Sequence, residues 1–168
     1  MAAQNDEDLA LSRRAAAGDS AAFAALVKRY ERPLRAFLVR MGAVEIADDI
    51  AQDAFLKAWR AAGQYDGSAR YSTWLTSIAW RCRLDELRRR PQPAPQAALR
   101  ENPNAAEVSD MLARLSENER ASLVLCDGHG WTHQEAAELL GLPLGTLKST
   151  VARAKAKCRE MWSGTGDD

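Results

Sequence analysis

Residues 131–157, WTHQEAAELLGLPLGTLKSTVARAKAK, read as two short helices joined by a tight turn, with one basic face left open. Thr132 and Glu135 stand three residues apart in a capping-box pattern, in which each side chain satisfies an orphan backbone donor of the other, so a helix is predicted from His133. Gly141 is a usual helix stop. Pro143, whose ring fixes φ near the helical value, suits the first turn of the next helix, and only Gly141 and Leu142 remain for the connection. This is helix-turn-helix spacing.

At 100° per residue Leu144, Leu147, Val151, Ala154 and Cys158 fall on one side of the second helix, and Thr146, Ser149, Arg153, Ala156 and Lys157 fall roughly opposite. The first set packs and the second is available. Between Leu142 and Arg159 the chain carries Lys148, Arg153, Lys155, Lys157 and Arg159 and no acidic residue. Small polar groups at a helix start with cations behind them suit entry into a DNA major groove, where base edges are read and phosphates hold the register. The plainer alternative is a helical hairpin with a solvated basic face.

The totals narrow the classes. The 168 residues suffice for one large or two small domains, and the 46% apolar content supplies helical cores without any run long enough for a membrane span. Residues 1–14, MAAQNDEDLALSRR, lack the cationic start and apolar block of a secretory signal, so a cytoplasmic protein is expected. Three widely spaced cysteines argue against a disulfide framework. Lys plus Arg equals Asp plus Glu at 23 each, so the chain as a whole has little attraction for nucleic acid. A DNA reader in such a chain needs help from elsewhere.

Upstream the periodicity is helical. Leu9 and Leu11 mark a short first helix that breaks at Gly18; Phe23, Leu26, Val27, Tyr30, Leu34, Phe37, Leu38 and Met41 form a core stripe that Pro33 should kink or divide. A helix from about Val44 to Ala62 buries Ile46, Ile50, Ala54, Phe55 and Trp59 and leaves Asp48, Asp49, Gln52, Asp53 and Lys57 off that stripe. Residues 63–74, GQYDGSARYSTW, read as a loop feeding a helix capped near Ser72 or Thr73 and running to Arg90. Its core side takes Trp74, Leu75, Ile78, Ala79 and Cys82; Arg81, Asp85, Arg88 and Arg89 lie away, with Trp80 and Leu84 between. Cations interleaved with aromatics suit single-stranded nucleic acid, because bases stack on rings while cations hold the backbone. Pro91, Pro93, Pro95 and Pro103 then interrupt the helix and mark a linker. Beyond it Val108, Met111, Leu112 and Leu115 are helical, Ser116 and Glu119 repeat the capping box, and no stretch alternates with the period of a strand.

In this order the parts resemble the extracytoplasmic-function group of bacterial sigma factors. DDIAQDAFLKAW resembles the segment that docks on the polymerase clamp helices, YSTWLTSIAWRCRLDELRRR the promoter-melting and minus-ten helix, and LSENERASLVL with WTHQEAAELLGLPLGTLKST the minus-thirty-five domain. The resemblance implies an all-α fold with residues 1–90 as a first domain, 91–106 as linker and 107–168 as a second domain. It implies core-polymerase contacts at Asp48, Asp49, Gln52, Asp53 and Phe55. It implies minus-ten and melting contacts at Tyr65, Tyr71, Trp80, Arg81, Asp85, Arg88 and Arg89, with the aromatics as stacking groups. Minus-thirty-five contacts fall to Thr146, Lys148, Ser149, Arg153 and Lys157. Core RNA polymerase, promoter DNA and an anti-sigma factor are the implied partners, and no cofactor is expected. Pro143 and Thr150 depart from the family pattern, which often has Ser before the recognition helix and Arg after the KS pair; the second change removes a potential phosphate contact.

Two other classes compete. A DNA-binding regulator would share the helix-turn-helix but has no use for the DDIAQDAF block, and it would protect its site without polymerase. Cys126, His129 and His133 are spaced closely enough to converge on a metal, although a fourth ligand is not evident. No nucleophile triad, phosphate loop or paired catalytic carboxylate is present, so no enzymatic activity is expected.

Overall fold

The computed structural model describes residues 2–89 and 103–163, with side-chain surroundings from residues 3–89 and 107–163. The regular structure among these residues is helical, and none forms a strand. The helices are α1 (Ala2–Ala16), α2 (Ser20–Arg40), α3 (Ala47–Arg60), α4 (Tyr71–Arg89), α5 (Pro103–Ala113), α6 (Glu117–Leu123), α7 (His133–Leu140) and α8 (Leu144–Ser163). The chain divides into two compact units, the first holding α1 to α4 except for the last residue of α2, the second holding α5 to α8. No described helix is long and apolar enough to cross a membrane.

In the first unit α3 packs along α4, and α1 lies against both and against the short 3-10 turn Ala62–Gln64. The expected stripe of α2 is buried at Leu26, Tyr30, Leu34, Phe37 and Leu38, whereas Phe23 and Val27 are only half-buried; Met41, also buried, belongs to the second unit. Pro33 does not divide α2, which runs through it from Ser20 to Arg40. The proline is exposed, and buried residues on either side of it, Tyr30 and Leu34, hold both halves to the same core. α3 begins at Ala47, later than expected, because Ile46 sits outside helical geometry at φ −115°, ψ 6° and offers no side-chain cap. α4 starts at Tyr71 rather than beyond Ser72 or Thr73; the Arg70 carbonyl accepts the first helical bond from Trp74 at 3.0 Å, and the Thr73 hydroxyl is buried without a hydrogen-bond partner. Burial of Tyr71 decides that start: its ring lies among those of Tyr30, Tyr65 and Trp74, 5.1–5.4 Å away.

The second unit follows its caps. Ser116 accepts from the Glu119 N–H at 3.3 Å while Glu119 accepts from the Ser116 N–H at 3.0 Å, which starts α6. Thr132 and Glu135 repeat the exchange at 3.2 and 2.7 Å, which starts α7. A π turn, Val124–Gly128, ends the α6 segment. Gly141 closes α7 at φ +64°, a conformation that disfavours any side chain, and the Leu142 N–H returns to the Ala137 carbonyl at 3.0 Å. The Pro143 carbonyl then accepts the first bond of α8, from Leu147 at 2.9 Å, so Pro143 stands just before the helix. Residues 90–102, which include Pro91, Pro93 and Pro95 of the expected linker, lie outside the described residues. Pro103 opens α5 at the one helical position where a missing N–H costs nothing, so helix begins before the expected boundary at residue 107.

Glu119 does more than cap α6. Lys157, on α8, reaches its carboxylate at 2.8 Å, and the ammonium first and the Ser116 N–H second hold the carboxyl below its usual 4.5. A depressed carboxyl contributes stability above its unfolded value and loses it as pH falls through the folded one. Glu119→Gln should therefore lower the thermal midpoint at pH 7 by roughly 5 °C. The gap to wild type should close as pH is taken below 4.5, which thermal melts at stepped pH will read.

Candidate functional site

Two exposed faces, one in each unit, carry the residues singled out from the sequence. On α3 the alternation of buried Ala47, Ile50, Ala51, Ala54, Phe55 and Ala58 with polar residues turns Asp48, Asp49, Gln52 and Asp53 to solvent. Asp48 is held by Arg35 of α2 at 2.6 Å and Asp53 by Lys57 at 2.9 Å. Lys57 in turn donates to the Cys82 thiol at 3.3 Å, and burial pushes that thiol up to about 11. Hydrogen bonding from Lys57 holds the Asp53 carboxyl below the usual range. Phe55 does not point outward with the acids. It forms part of the wall of an apolar groove of about 410 Å³ that Phe23, Val27, Ala51 and Leu56 also line and that Arg32, Arg35, Asp48 and Gln52 rim.

The aromatics expected to stack on bases are in the core. Tyr65 is 4% exposed, Tyr71 1% and Trp80 5%. The single hydroxyl proton of Tyr65 is shared between Asn5 Oδ1 at 2.8 Å and the Ala69 carbonyl at 2.9 Å, and burial pushes the phenol up to about 12. Trp80 lies 6.5 Å from Phe37 and beneath the guanidinium of Arg83, 5.1 Å from its ring. Trp74, expected in the core, is instead half-buried. The two tryptophans exchange places relative to expectation because α4 buries more than a narrow apolar stripe. The buried surface spans Tyr71, Thr73, Leu75, Thr76, Ala79, Trp80, Cys82 and Arg83, which wraps about half of the helix at 3.6 residues per turn. On the remaining side Trp74, Arg81 and Arg88 recur every seven residues and fall within about 40° of one another. Arg81 and Arg88 are exposed, and Asp85 and Glu86 stand 3.6 and 3.9 Å from Arg88 and Arg89. The loop before α4 leaves Gln64, Asp66 and Ser68 exposed.

On α8 Leu147, Thr150, Val151 and Ala154 are buried, and Thr146, Lys148, Ser149 and Arg153 are exposed. Leu144 is exposed and Cys158 half-buried, so the packed side is shorter than expected. Lys157 does not share the open face: its ammonium is committed to Glu119 on α6. Lys155 is likewise paired, with Asp127 of the π turn at 2.8 Å. Thr150 faces inward, donates to the Thr146 carbonyl at 2.8 Å and accepts from Arg153 Nη2 at 3.3 Å. Its hydroxyl steadies the arginine three residues on. Cys126, His129 and His133 do not converge, and among the described residues no group of three His, Cys, Asp or Glu side chains is placed to hold a metal.

An all-α chain with an acidic helix face in one unit and a helix-turn-helix in the other has the make-up of a DNA reader that works through a protein partner. Residues 26–91 match the family described as Sigma-70 region 2, and residues 105–158 match Sigma-70, region 4. The ECF RNA polymerase sigma factor RpoE of Cereibacter sphaeroides is 34% identical over 160 residues, spanning 86% of this chain and 88% of that one. The ECF RNA polymerase sigma factor SigM of Mycobacterium tuberculosis is 37% identical over 156 residues, spanning 86% and 79%. Among solved structures, CnrH in complex with the cytosolic domain of CnrY aligns with a TM-score of 0.75 at 30% identity, over 96% of this chain and 99% of that one. RpoE of Bartonella quintana, solved with the anti-sigma factor NepR, shares the fold with a TM-score of 0.76 at 23% identity, over 87% and 98%. The chain belongs to the ECF sigma factors of RNA polymerase, transcription initiation factors that bind the core enzyme and direct it to promoters.

The two tryptophans separate by stability. Trp80→Ala should cost about 3 to 5 kcal/mol, as truncation of a buried large aromatic does, and Trp74→Ala markedly less. Urea unfolding of the two variants beside wild type checks both.

Proposed function

We propose that this sigma factor docks on core polymerase through the solvent face of α3, with Asp49 and Gln52 at its centre. Asp48 and Asp53 join by exchanging Arg35 and Lys57 for groups on the polymerase. The support is that all four side chains stand on one exposed face, while the apolar residues between them are buried. Exposed ion pairs are worth about 0 to 1 kcal/mol, so such an exchange is inexpensive. The Phe55 groove offers an apolar seat beside that face.

Promoter DNA engages two further surfaces. Loop residues 64–70 and the Trp74, Arg81, Arg88 side of α4 take the unpaired minus-ten strand, with Trp74 as the stacking group in place of Tyr65, Tyr71 and Trp80. Arg89 and Asp85 flank that strand. Thr146, Lys148, Ser149 and Arg153 enter the major groove at the minus-thirty-five element. The chain works in the cytoplasm, as an initiation factor without catalysis of its own. An anti-sigma factor holds it off polymerase; the similar CnrH was solved in complex with the cytosolic domain of CnrY.

Three substitutions test these assignments. Asp49→Lys should weaken core binding by about tenfold or more, a loss of about 1.4 kcal/mol, with helicity unchanged, as read by core titration and circular dichroism. Arg153→Ala should cost about 1 to 3 kcal/mol at promoters carrying its preferred base and less at others, as read by initiation across minus-thirty-five variants. Trp74→Ala should lose about 1 to 3 kcal/mol of open-complex stability, read by permanganate reactivity of the minus-ten strand. Full permanganate reactivity in that variant would remove the tryptophan from the DNA path.

A further inference from the structure

The loop before α4 is held only in part by residues of the region 2 match, through Tyr65, Tyr71 and Asp66. Its other fixed points come from α1, which precedes residues 26–91. Asn5 donates from Nδ2 to the Gly67 carbonyl at 3.0 Å and accepts on Oδ1 from the Tyr65 hydroxyl at 2.8 Å. A carbonyl can only accept, so Gly67 fixes which way the Asn5 amide faces and leaves its oxygen for the tyrosine. One turn on, Leu9 lies under Gly67: a Cβ there would stand 3.0 Å from Leu9 Cδ2, and Gly67 has φ +80°. Two turns on, the fully buried Ser12 donates to the Ala62 carbonyl at 3.0 Å. Asn5, Leu9 and Ser12 thus touch the loop at successive points along one face of α1, and Asp66 turns the tip by accepting from the Ser68 N–H at 2.9 Å. Asn5 also borders a cavity of about 170 Å³ with Asp8, Tyr30, Arg70 and Ser72, so a displaced loop would move Arg70 and reshape what it presents to DNA.

We infer that Asn5 is a positioning residue for minus-ten discrimination: through Gly67 and Tyr65 it sets the conformation of residues 65–69 and thereby which minus-ten bases this sigma factor accepts. The inference rests on the reading of that loop as part of the minus-ten surface. Asn5 itself touches no DNA. Its effect therefore appears as an altered ranking of promoters rather than a uniform loss.

The full chain with core polymerase, assayed for initiation on promoters randomised across the minus-ten element, tests it. Asn5→Ala should change the ratio between preferred and second-ranked bases at one or more positions by about two- to tenfold, the range that the net loss of one hydrogen bond gives. Asn5→Asp keeps the acceptor for Tyr65 and should fall between wild type and Asn5→Ala. Tyr65→Phe should shift the ranking in the same direction and add little when combined with Asn5→Ala, because the two residues act as one clamp. Asp66→Ala and Ser68→Ala, at the exposed tip, report on the loop itself. A ranking that moves with the tip variants and not with Asn5→Ala overturns the positioning role and leaves the loop reading standing. A ranking that no variant moves overturns both. Equal losses on every promoter, tracking reduced core affinity or a lowered melting temperature, reduce Asn5 to a structural residue and also overturn the inference.

Discussion

Asp8 lies in the interior with 2% of its surface exposed, and a carboxylate so placed has to be matched by charge and hydrogen bonds. Arg29 supplies the charge at 2.5 Å, Tyr30 supplies a hydroxyl, and Glu7 shares the guanidinium at 3.0 Å. Removing one partner of such a pair typically costs about 3 to 5 kcal/mol, so α1 is tied to α2 at a fixed depth and rotation. The tie propagates through rings. Tyr30 stands 5.2 Å from Tyr71, which meets Tyr65 edge-on at 5.1 Å, and Tyr65 stands 5.3 Å from Trp74. Burial raises all three phenols well above their ordinary value, so each remains a neutral donor at physiological pH. The loop before α4 and the half-buried tryptophan that begins its open side are positioned by this cluster.

How much of this could be read from the chain depends on the range over which each choice is made. Helix starts at Ser116 and Thr132 and the stop at Gly141 are decided within four residues, and both caps and the turn stand where the spacing put them. The amphipathic division of α3 is nearly as local, since alanine and isoleucine on one side and carboxylates on the other leave a single sensible rotation. The aromatics of α4 were not legible in this way. Which of Trp74 and Trp80 is covered depends on α2, through Phe37, and on the loop, through Tyr65, and neither contact has a sequence signature. Asp8 and Ser12 escaped for the opposite reason: α1 uses polar residues as its buried face, and a search for apolar spacing sees only Leu9 and Leu11, which are half-buried.

The charge census also changes meaning once partners are visible. Asp48 and Asp53 on the α3 face, and Lys155 and Lys157 on α8, each sit against an opposite charge of their own unit. The pairs differ in kind. Arg35 with Asp48 and Lys57 with Asp53 are solvent-exposed on both sides, so water already screens them and they exchange readily. Glu119 is buried and also caps α6, so the Lys157 pair belongs to the architecture of the second unit rather than to its DNA face.

That distinction sets how the second unit works. Of the five cations between Leu142 and Arg159, Lys157 is committed to the buried Glu119, whereas Lys155 pairs with Asp127 in a solvent-exposed pair of the readily exchanged kind. Each phosphate neutralised contributes a slope of about −0.9 to the salt dependence of binding, so a reader with so few cations has a small electrostatic affinity and loses little of it in salt. Such a reader does not hold duplex DNA alone at physiological ionic strength. Tethered to polymerase, it meets the promoter at a raised effective concentration, and modest affinity then suffices. The neutral overall charge follows from the same arrangement. A strongly basic chain would occupy non-specific DNA without polymerase, whereas one with as many acidic as basic residues depends on the enzyme it directs to be held at a promoter.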